Sequence, residues 1–204
     1  MESKVSFGAL SLSVSPSVYE PAEDSFLLAT YASSLSGKIL EIGCGCGIVS
    51  LSAGAANPKN SVLGVDLNPR AVECSRKNAE ANSIKNCQFM QSDLFSEIPS
   101  GSKFDTILFN PPYLPTTREE RLAGEENLAY DGGASGLETF QKFISRAPEF
   151  LAPGGQVAVI ATSLEDGLSR TKRALEEKIG PPRVLASESF FFEKIYLLQA
   201  KSPR

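Results

Sequence analysis

Residues 38–47 read Lys38-Ile39-Leu40-Glu41-Ile42-Gly43-Cys44-Gly45-Cys46-Gly47. The stretch begins with closely spaced isoleucine and leucine residues, which are typical of a short buried strand. Three glycines at alternate positions follow, and glycine lets the backbone turn tightly. Apolar residues from about Ile48 onward then indicate a helix. The stretch therefore predicts a strand, a tight glycine turn and a helix in direct succession.

Outward from this stretch, strand patterns alternate with helix patterns and the connections between them are short. Such alternation predicts an α/β fold, in which helices cover both faces of a parallel sheet. Ahead of the stretch, residues 7–14 alternate with period two, and a helix is expected from Pro21. After it we expect strands at 61–66, 87–90, 104–109, 156–161, 184–187 and 194–199, and helices at 69–81, 137–151 and 164–178.

Composition limits the classes of function. The 204 residues are 42% hydrophobic and 22% charged, and no stretch resembles an interdomain linker, so we expect one domain over residues 1–204. We also expect a cytoplasmic protein, because no apolar run reaches the roughly 18 residues that span a bilayer and no signal-peptide pattern is present. The net charge is −4 and no basic stripe is visible, so direct binding of nucleic acid is not expected.

Histidine is absent, and the four cysteines show no C-x-x-C pairing. We therefore expect no metal site, because the usual cysteine and histidine ligand sets for zinc cannot be assembled. Cys44 and Cys46 admit two interpretations: a redox or soft-metal pair, or small side chains in a crowded loop. We favour the second, because the cytosol keeps thiols reduced.

Polar or glycine residues lie at the carboxyl end of each of the first four strands of the predicted sheet. They are the loop from Glu41 to Gly47, then Asp66, Asp93 and Asn110. In open parallel sheets, ligands bind beyond the carboxyl ends of the strands. We therefore expect these residues to face a ligand.

The glycine loop alone is a weak signal, because any tight turn also uses glycine. Its spacing departs from the G-x-G-x-x-G pattern of dinucleotide-binding folds, since Ile48 stands where that pattern has glycine. Glu41 suits a position beside a cationic group and would be unfavourable beside a pyrophosphate. The loop therefore favours a cofactor other than a dinucleotide.

Asp66 and Asp93 each have a functional and a structural interpretation. Asp66 follows the loop by about twenty residues, the spacing at which an acidic residue accepts both ribose hydroxyls of a nucleoside cofactor. It could instead cap the helix that begins at Pro69. Asp93 could accept a hydrogen bond from an adenine amino group while Leu94 packs on the ring, or it could be a turn residue.

The sequence Asn110-Pro111-Pro112-Tyr113 follows the fourth strand. Two consecutive prolines hold the backbone extended. The Asn110 carboxamide oxygen and the Pro111 carbonyl can then both accept from one planar NH₂ group, and Tyr113 offers a face for stacking a flat amide or base. A rigid loop without function is the alternative. Because the other strand ends also carry candidate residues, we favour a clamp for a nitrogen nucleophile.

These residues resemble the class I S-adenosyl-methionine-dependent methyltransferases. Asn110-Pro111-Pro112-Tyr113 resembles their N-P-P-Y signature, found in enzymes that act on amide or exocyclic nitrogens, and the glycine loop resembles their motif I. Three further stretches resemble the archaeal and eukaryotic branch of the HemK/PrmC-like family. They are Val18-Tyr19-Glu20-Pro21-Ala22-Glu23-Asp24-Ser25, Asp66-Leu67-Asn68-Pro69 and Asp131-Gly132-Gly133-x-x-Gly136. Cys-Gly-Cys-Gly stands where that family more often has Ser-Gly-Ser-Gly, which should leave backbone contacts intact.

The resemblance implies a Rossmann-like, seven-stranded, mostly parallel sheet with an antiparallel last strand. It implies S-adenosyl-methionine as cofactor and, as substrate, the glutamine of the Gly-Gly-Gln motif in a class I release factor. The implied cofactor contacts are Ser25, Glu41, Gly43, Gly45, Asp66, Leu67, Asp93, Leu94 and Asn110. The implied catalytic and substrate contacts are Asn110, Pro111, Pro112 and Tyr113.

The resemblance also assigns roles to three segments. Residues 1–36 are expected to form a strand and helix extension that covers the cofactor site. The helical domain of the bacterial branch is not expected, because motif I already begins at Glu41. Residues 114–133 are expected to form a substrate-side loop. A small zinc-binding activator subunit is expected to pair with the sheet edge that begins at Asn86 and ends at Met90, and strand addition is a reasonable mode for it.

Three other functions remain open on the sequence. A nucleic-acid adenine or guanine methyltransferase could use the same clamp, but segment 114–133 has two positive against five negative charges, which would repel phosphates. Protein lysine methylation is a second alternative, although a clamp for planar NH₂ suits an ammonium poorly. A non-enzymatic or NAD-binding domain would need neither the clamp nor this glycine spacing.

Overall fold

A computed structural model describes residues 2–112 and 137–203 of the chain. Tyr113, segment 114–133 and the predicted Gly136 motif position lie outside the described residues. The chain divides into two compact units, Met1–Pro99 and Ser100–Arg204. Within the described ranges, no helix is both long enough and apolar enough to cross a membrane.

The strands and helices follow the predicted alternation. The strands are β1 (Ser3–Phe7), β2 (Leu10–Val14), β3 (Lys38–Ile42), β4 (Ser61–Asp66), β5 (Cys87–Gln91), β6 (Phe104–Phe109), β7 (Leu151–Thr162), β8 (Arg183–Ser189) and β9 (Lys194–Lys201). The helices are α1 (Glu23–Ala32), α2 (Ile48–Ala56), α3 (Pro69–Ala81), α4 (Glu138–Phe150) and α5 (Gly167–Lys178).

The hairpin β1–β2 stands apart from the main sheet, whose seven strands have the order β5-β4-β3-β6-β7-β9-β8. The last strand, β9, is antiparallel to both of its neighbours, β7 and β8. This confirms the predicted seven-stranded, mostly parallel sheet with an antiparallel last strand.

In the first unit, β3 runs parallel to β4 and β4 runs parallel to β5. Strand β3 is buried along nearly its whole length, as a central strand of a parallel sheet should be. Because the three strands are parallel, their carboxyl ends lie at one edge of this unit. The glycine loop, Leu67 and Ser92 continue the chain from that edge.

Helix α3 has the bounds that its sequence predicts. Pro69 occupies the first turn, where a missing backbone N–H costs nothing. The cap is Asn68, whose side-chain oxygen accepts from Arg70 N at 2.9 Å. The helix cap is therefore Asn68, and the interpretation of Asp66 as the capping residue is wrong.

The N-terminal hairpin is held on α3 by two asparagines. Asn78 accepts from Ser13 N at 2.9 Å and donates to Ser13 O at 2.9 Å. One turn later, Asn82 does the same with Ser11, at 3.0 and 2.9 Å. The pattern over residues 7–14 allows either a single strand or a hairpin arm, and the structure has the hairpin: β1 ends at Phe7, the chain turns at Gly8 with φ +56°, and β2 follows, because glycine allows the reversal there.

In the second unit, β6 runs parallel to β7, and β9 lies antiparallel between β7 and β8. Helix α4 buries a phenylalanine face, in which the rings of Phe140 and Phe143 lie 6.0 Å apart. The Phe143 ring also lies 4.7 Å from the ring of Phe109, at the end of β6. The last residue of β6 is therefore fixed by the core of this unit.

Several predicted boundaries differ from the structure. Helix α1, expected from Pro21, begins at Glu23, because Ala22 has an extended backbone and forms the N-cap, so Pro21 lies before the helix. A helix is predicted over 137–151 and a strand over 156–161, but α4 ends at Phe150 and β7 begins directly at Leu151. Leu151 already pairs with Phe104, and a register shift between Phe104 and Thr106 accommodates the extra residues of β7. The helix predicted from Leu164 is a short 3-10 turn followed by α5. The helices are separated because Glu165 and Asp166 adopt left-handed φ values of +46° and +60°.

Candidate active site

The glycine loop after β3 has the conformation that its glycines allow. Gly43, Gly45 and Gly47 have φ values of +70°, +54° and +88°, a region that side chains rarely enter. A Cβ atom at Gly45 would meet no atom within 4 Å, so the backbone there borders open space. This space fits the expected cofactor, which would approach the loop main chain.

Glu41 lies at the end of β3 and is 3% exposed. Its Oε2 accepts from Ser50 N at 2.8 Å and from the Ser50 hydroxyl, so the carboxyl is held at the start of α2. Burial raises the pKa of Glu41 to about 8, although the hydrogen bonds from Ser50 lower it. A cationic group beside Glu41 would favour the carboxylate, which is the role that the sequence predicts.

Asp66 joins the glycine loop to the end of β4. Its Oδ2 accepts from Gly45 N at 2.9 Å, and its Oδ1 accepts from Asn68 N at 2.9 Å. Burial raises the pKa of Asp66, while these backbone donors lower it. Each carboxylate oxygen has a second lone pair, so Asp66 retains acceptor capacity for ribose hydroxyls. The neighbouring Leu67 is 44% exposed and available to a ligand.

Asp93 and Leu94 follow β5. Asp93 is exposed, and its main chain forms a turn with Ser96 through an Asp93 N to Ser96 Oγ bond of 3.2 Å. Leu94 has φ +51°, a conformation that costs energy for leucine and that clusters at ligand sites. The Ser92 hydroxyl donates to Leu94 O at 3.0 Å and stabilises this turn. Both the turn and the cofactor interpretations of Asp93 therefore stand.

Ser25 lies in the first turn of α1 and is buried. Its hydroxyl and its backbone N–H both lie beside Asp24 Oδ1, at 3.1 and 2.6 Å. The Tyr19 hydroxyl donates to the same carboxylate at 3.1 Å. These residues all belong to the predicted Val18-to-Ser25 motif, so the motif builds a polar cluster around Asp24, and contact of Ser25 with the cofactor stays a prediction.

Asn110 follows β6 in the second unit. Its carboxamide oxygen Oδ1 is buried, although the residue as a whole is half-buried. Pro111 is buried and Pro112 is half-buried. Tyr113, the fourth residue of the predicted clamp, lies outside the described residues. The three described residues therefore place an oxygen acceptor at a strand end, next to a backbone without N–H donors.

Three polar residues support the loop and carry no recognisable signal in the sequence. Ser50 holds Glu41, Ser75 donates to Gly45 O at 2.9 Å, and Asn78 donates to Cys46 O at 2.9 Å. All three are buried. Two of them come from α3, about thirty residues away from the loop, so only a signal that pairs distant positions could have found them.

The cysteines in and near the loop are free thiols. Cys44 and Cys46 are each 2% exposed. Burial raises the pKa of Cys44 and raises that of Cys46 to about 12. Since the thiolate is the reactive and metal-binding form, these values favour small packing side chains over a redox or metal pair.

Comparison with known proteins agrees with this arrangement. The model of the methyltransferase small domain family matches residues 22–192. A protein of Methanocaldococcus jannaschii, provisionally named a protein N5-glutamine methyltransferase, is 43% identical over 156 residues, which are 76% of this chain and 77% of the relative. A release factor glutamine methyltransferase of Vibrio cholerae is 34% identical over 73% of this chain, which spans only 55% of that relative.

Solved structures share the fold. The 16S rRNA N2 G1207 methyltransferase of Thermus thermophilus, in complex with AdoMet and guanosine, has a TM-score of 0.74 and 21% identity, over 99% of this chain and 50% of that one. The Mtq2–Trm112 complex of E. cuniculi, responsible for methylation of the termination factor eRF1, has a TM-score of 0.69 and 24% identity, over 91% of this chain and 99% of that one.

The family match covers most of the chain and includes both the glycine loop and the Asn-Pro-Pro sequence. S-adenosyl-methionine is the cofactor of these enzymes, as the resemblance to the class I methyltransferases implied. The chain belongs to the methyltransferase small domain family and, within it, to the HemK-type S-adenosyl-methionine-dependent methyltransferases.

Proposed function

We propose that this protein methylates the side-chain amide nitrogen of the glutamine in the Gly-Gly-Gln motif of a class I release factor. The observation that carries the proposal is the Asn110-Pro111-Pro112 sequence at the end of β6, with the Asn110 amide oxygen buried. A buried acceptor beside an extended backbone suits a planar NH₂ group. The names of the relatives from M. jannaschii and V. cholerae support the same substrate class.

On the cofactor side, the first unit supplies the binding residues. Asp66 would accept from the ribose hydroxyls, with Leu67 beside it. Asp93 and Leu94 would hold the adenine ring. The amino-acid end of the cofactor would be held by Glu41, by Ser25 and by the loop backbone at Gly43 and Gly45. When bound, S-adenosyl-methionine supplies the methyl group as an electrophilic methyl sulfonium.

On the substrate side, Asn110 Oδ1 and the Pro111 carbonyl would accept the two hydrogens of the glutamine NH₂. An amide nitrogen is a poor nucleophile, because its lone pair is delocalised into the carbonyl. These two acceptors would fix the orientation of the nitrogen and stabilise positive charge that develops on it as it gains the methyl group. The nitrogen then releases one proton to solvent, because the methylated amide keeps a single N–H. Tyr113 would stack on the amide plane. Orientation and acceptor strength would carry the catalysis.

We also propose an activator subunit at the edge strand β5, in the cytoplasm where termination factors act. Val62 N of β4 donates to Asn86 O, and Ser92 N donates to Asp66 O of β4. The main-chain groups of successive residues in a strand point to opposite sides, so those of Phe89 point away from β4 toward the open edge. Phe89 O accepts from the Arg76 guanidinium, at 2.6 Å from one nitrogen. A partner strand would therefore pair along residues 86–90 and compete with Arg76 for this carbonyl.

The substrate test uses the purified protein, the labelled cofactor and two acceptors, a class I release factor and total RNA. We expect the methyl group on the glutamine of the Gly-Gly-Gln motif when the product is located by mass spectrometry. A release factor with that glutamine replaced by asparagine is the matched control and should stay unlabelled. A methyl group on RNA, or on a lysine, would contradict the proposal and select one of the alternatives.

The partner test uses hydrogen–deuterium exchange with and without a small zinc-binding subunit. We expect slower exchange in residues 86–91 when the complex forms. We also expect the Arg76→Ala variant to bind the subunit more tightly, because Arg76 then no longer competes for the Phe89 carbonyl. Protection confined to another part of the chain would place the subunit elsewhere.

A further inference from the structure

Two phenylalanines lie nearly fully exposed at the tip of the hairpin formed by β8 and β9. Phe191 is 92% exposed and Phe192 is 85% exposed. Their rings meet edge to face, with centroids 4.6 Å apart. Large apolar side chains exposed side by side usually mark an interaction site. The proposed catalytic and cofactor roles use neither of them.

Hydrogen bonds anchor this tip to the end of β7. Phe190 N donates to Glu193 O at 2.7 Å and closes the turn. The Thr162 hydroxyl donates to Glu193 Oε1 at 2.6 Å. Ser163 and Lys194 exchange two further bonds, Ser163 N to Lys194 O at 2.8 Å and Lys194 N to Ser163 Oγ at 2.9 Å. The two rings are therefore presented on an ordered support, which reduces the entropy lost when a partner docks.

The strand register places the tip at the edge of the second unit that carries Asn110. Phe109 pairs with Val159, and Val159 pairs with Leu198, so Asn110 lies at the level of Leu197. Phe192 lies in the turn before β9, five residues ahead of Leu197, and because β9 is antiparallel this turn lies beyond the same edge. At about 3.3 Å per residue and 4.8 Å per strand, the Cα atoms of Phe192 and Asn110 lie about 20 Å apart. A standard interface of about 800 Å² per partner is about 30 Å across and can include both.

The charges around the tip favour a protein over a nucleic acid. Residues 183–194 carry Arg183 and Lys194 against Glu188 and Glu193, so their net charge is zero. Lys194 Nζ lies over the Tyr196 ring, 5.3 Å from its centroid. Aromatic side chains that stack on single-stranded nucleic acid stand in a positively charged groove, which this neutral hairpin does not provide.

We propose that Phe191 and Phe192 anchor the folded protein substrate, by inserting into an apolar depression on its surface while its glutamine reaches Asn110. This inference rests on the proposed function and deepens it, because it assigns part of the recognition to a surface remote from the methylated residue. Recognition then requires the intact folded factor. Exposed aromatic anchors of this kind commonly dominate the binding energy of an interface.

The test is a steady-state methylation assay with the intact release factor and the double variant Phe191→Ala, Phe192→Ala. Loss of an aromatic anchor typically weakens binding by roughly 30-fold or more, so we expect KM for the factor to rise by at least that much. We expect kcat at saturating factor and the affinity for S-adenosyl-methionine to stay unchanged. The matched control is Val184→Ala, Leu185→Ala, which removes exposed apolar area from β8, behind the tip, and should leave KM unchanged.

Four outcomes would overturn the inference. An unchanged KM in the phenylalanine variant, with an active wild type, rejects the anchor and leaves the proposed function standing. A lower kcat together with a lower melting temperature in the phenylalanine variant would show that the rings pack against another part of this chain and do not bind a partner. A wild-type dimer that the variant dissociates in ultracentrifugation assigns the rings to a second copy. A wild type that methylates RNA and leaves the release factor unlabelled rejects the proposed function and the anchor with it.

Discussion

The carboxylate of Asp66 has one task in the structure and a second in the proposed mechanism. It accepts from Gly45 N and Asn68 N, which orders the loop, and we propose that it also accepts from the ribose. Hydrogen bonds to a charged acceptor contribute about 1.5–3 kcal/mol each. Asp66→Ala should therefore weaken S-adenosyl-methionine binding by roughly 10- to 150-fold in calorimetry, and NAD should give no binding signal.

Loop support and ribose binding can be separated with Ser75→Ala. This variant removes the bond to Gly45 O but leaves the carboxylate in place. It should lose much less affinity than Asp66→Ala. If a folded Asp66→Ala variant binds the cofactor like the wild type, the ribose assignment is wrong.

Asn110 is the residue on which the chemistry depends. Removing one preorganised hydrogen-bonding group of this kind typically lowers the rate by about 10²–10³-fold. Asn110→Ala should lose at least that much in a single-turnover assay, while its cofactor affinity falls much less than that of Asp66→Ala. Asn110→Asp keeps an acceptor oxygen and should retain some activity. A wild-type rate in Asn110→Ala would refute the clamp.

Glu41 should make stability depend on pH in a way that is unusual for a carboxylic acid. Its pKa in the fold, about 8, lies above the ordinary 4.5, so the fold favours the neutral form. The contribution of the neutral Glu41 carboxyl to the free energy of unfolding is fully present below about pH 4, and it is lost as the pH rises from 4.5 through 8. Glu41→Gln should match the wild type at pH 4 and exceed it by on the order of a few kcal/mol at pH 8.

Denaturant unfolding at several pH values measures this difference, and parallel pH profiles for the two proteins would refute it. The same variant tests the cofactor role. Because glutamine carries no charge, Glu41→Gln should bind S-adenosyl-methionine more weakly than the wild type at pH 8, in spite of its greater stability. Equal affinity would remove Glu41 from the cofactor site.

At the scale of elements, α3 connects the N-terminal hairpin to the glycine loop. Asn78 is 2% exposed, accepts from Ser13 N, and donates to Ser13 O and to Cys46 O. Asn78→Ala leaves these buried groups without their partner, so the free energy of unfolding should fall by about 1–3 kcal/mol. Cofactor affinity should fall with it, because the loop loses a support.

The matched control is Asn82→Ala, which removes the equivalent pair of bonds to Ser11 but no bond to the loop. It should speed hydrogen exchange in β2 and leave cofactor affinity unchanged. If both variants weaken cofactor binding equally, the hairpin and not the loop contact is responsible.

At the scale of the whole molecule, charge and chain organisation are the relevant properties. The predicted cofactor residues from Ser25 to Leu94 fall in the first compact unit, and the Asn-Pro-Pro sequence falls in the second. The chain has a net charge of −4, and segment 114–133, outside the described residues, contributes −3 by sequence. A basic protein surface would therefore be attracted and phosphates repelled.

The negative charge of segment 114–133 predicts an effect on the association rate. Changing Glu119, Glu120, Glu125 and Glu126 to lysine should slow encounter with a basic protein substrate, because electrostatic attraction acts mainly on the association rate. Stopped-flow measurement at low salt should show the difference, and added salt should reduce it. Equal association rates at low salt would refute the role of the acidic segment.

The sequence by itself determined the elements whose ends carry strong local signals. β3, β4, β6 and α3 have the predicted bounds, because short apolar runs end there at glycine, aspartate or proline, and Pro69 and Asn110-Pro111 are local stops. The motifs also determined the family and the cofactor, because the spacing of Glu41, the glycines and Asn-Pro-Pro-Tyr is a property of the chain alone.

Only the tertiary structure decided which distant residues support these motifs. Asn78 and Ser75 look like ordinary polar residues of a helix, and only the packing of α3 on the loop shows their bonds. The run Phe190-Phe191-Phe192 is apolar in sequence, and only the structure shows that the rings of Phe191 and Phe192 lie in solvent. The burial of a side chain depends on which elements pack together in the fold, and a local sequence pattern does not specify those long-range contacts.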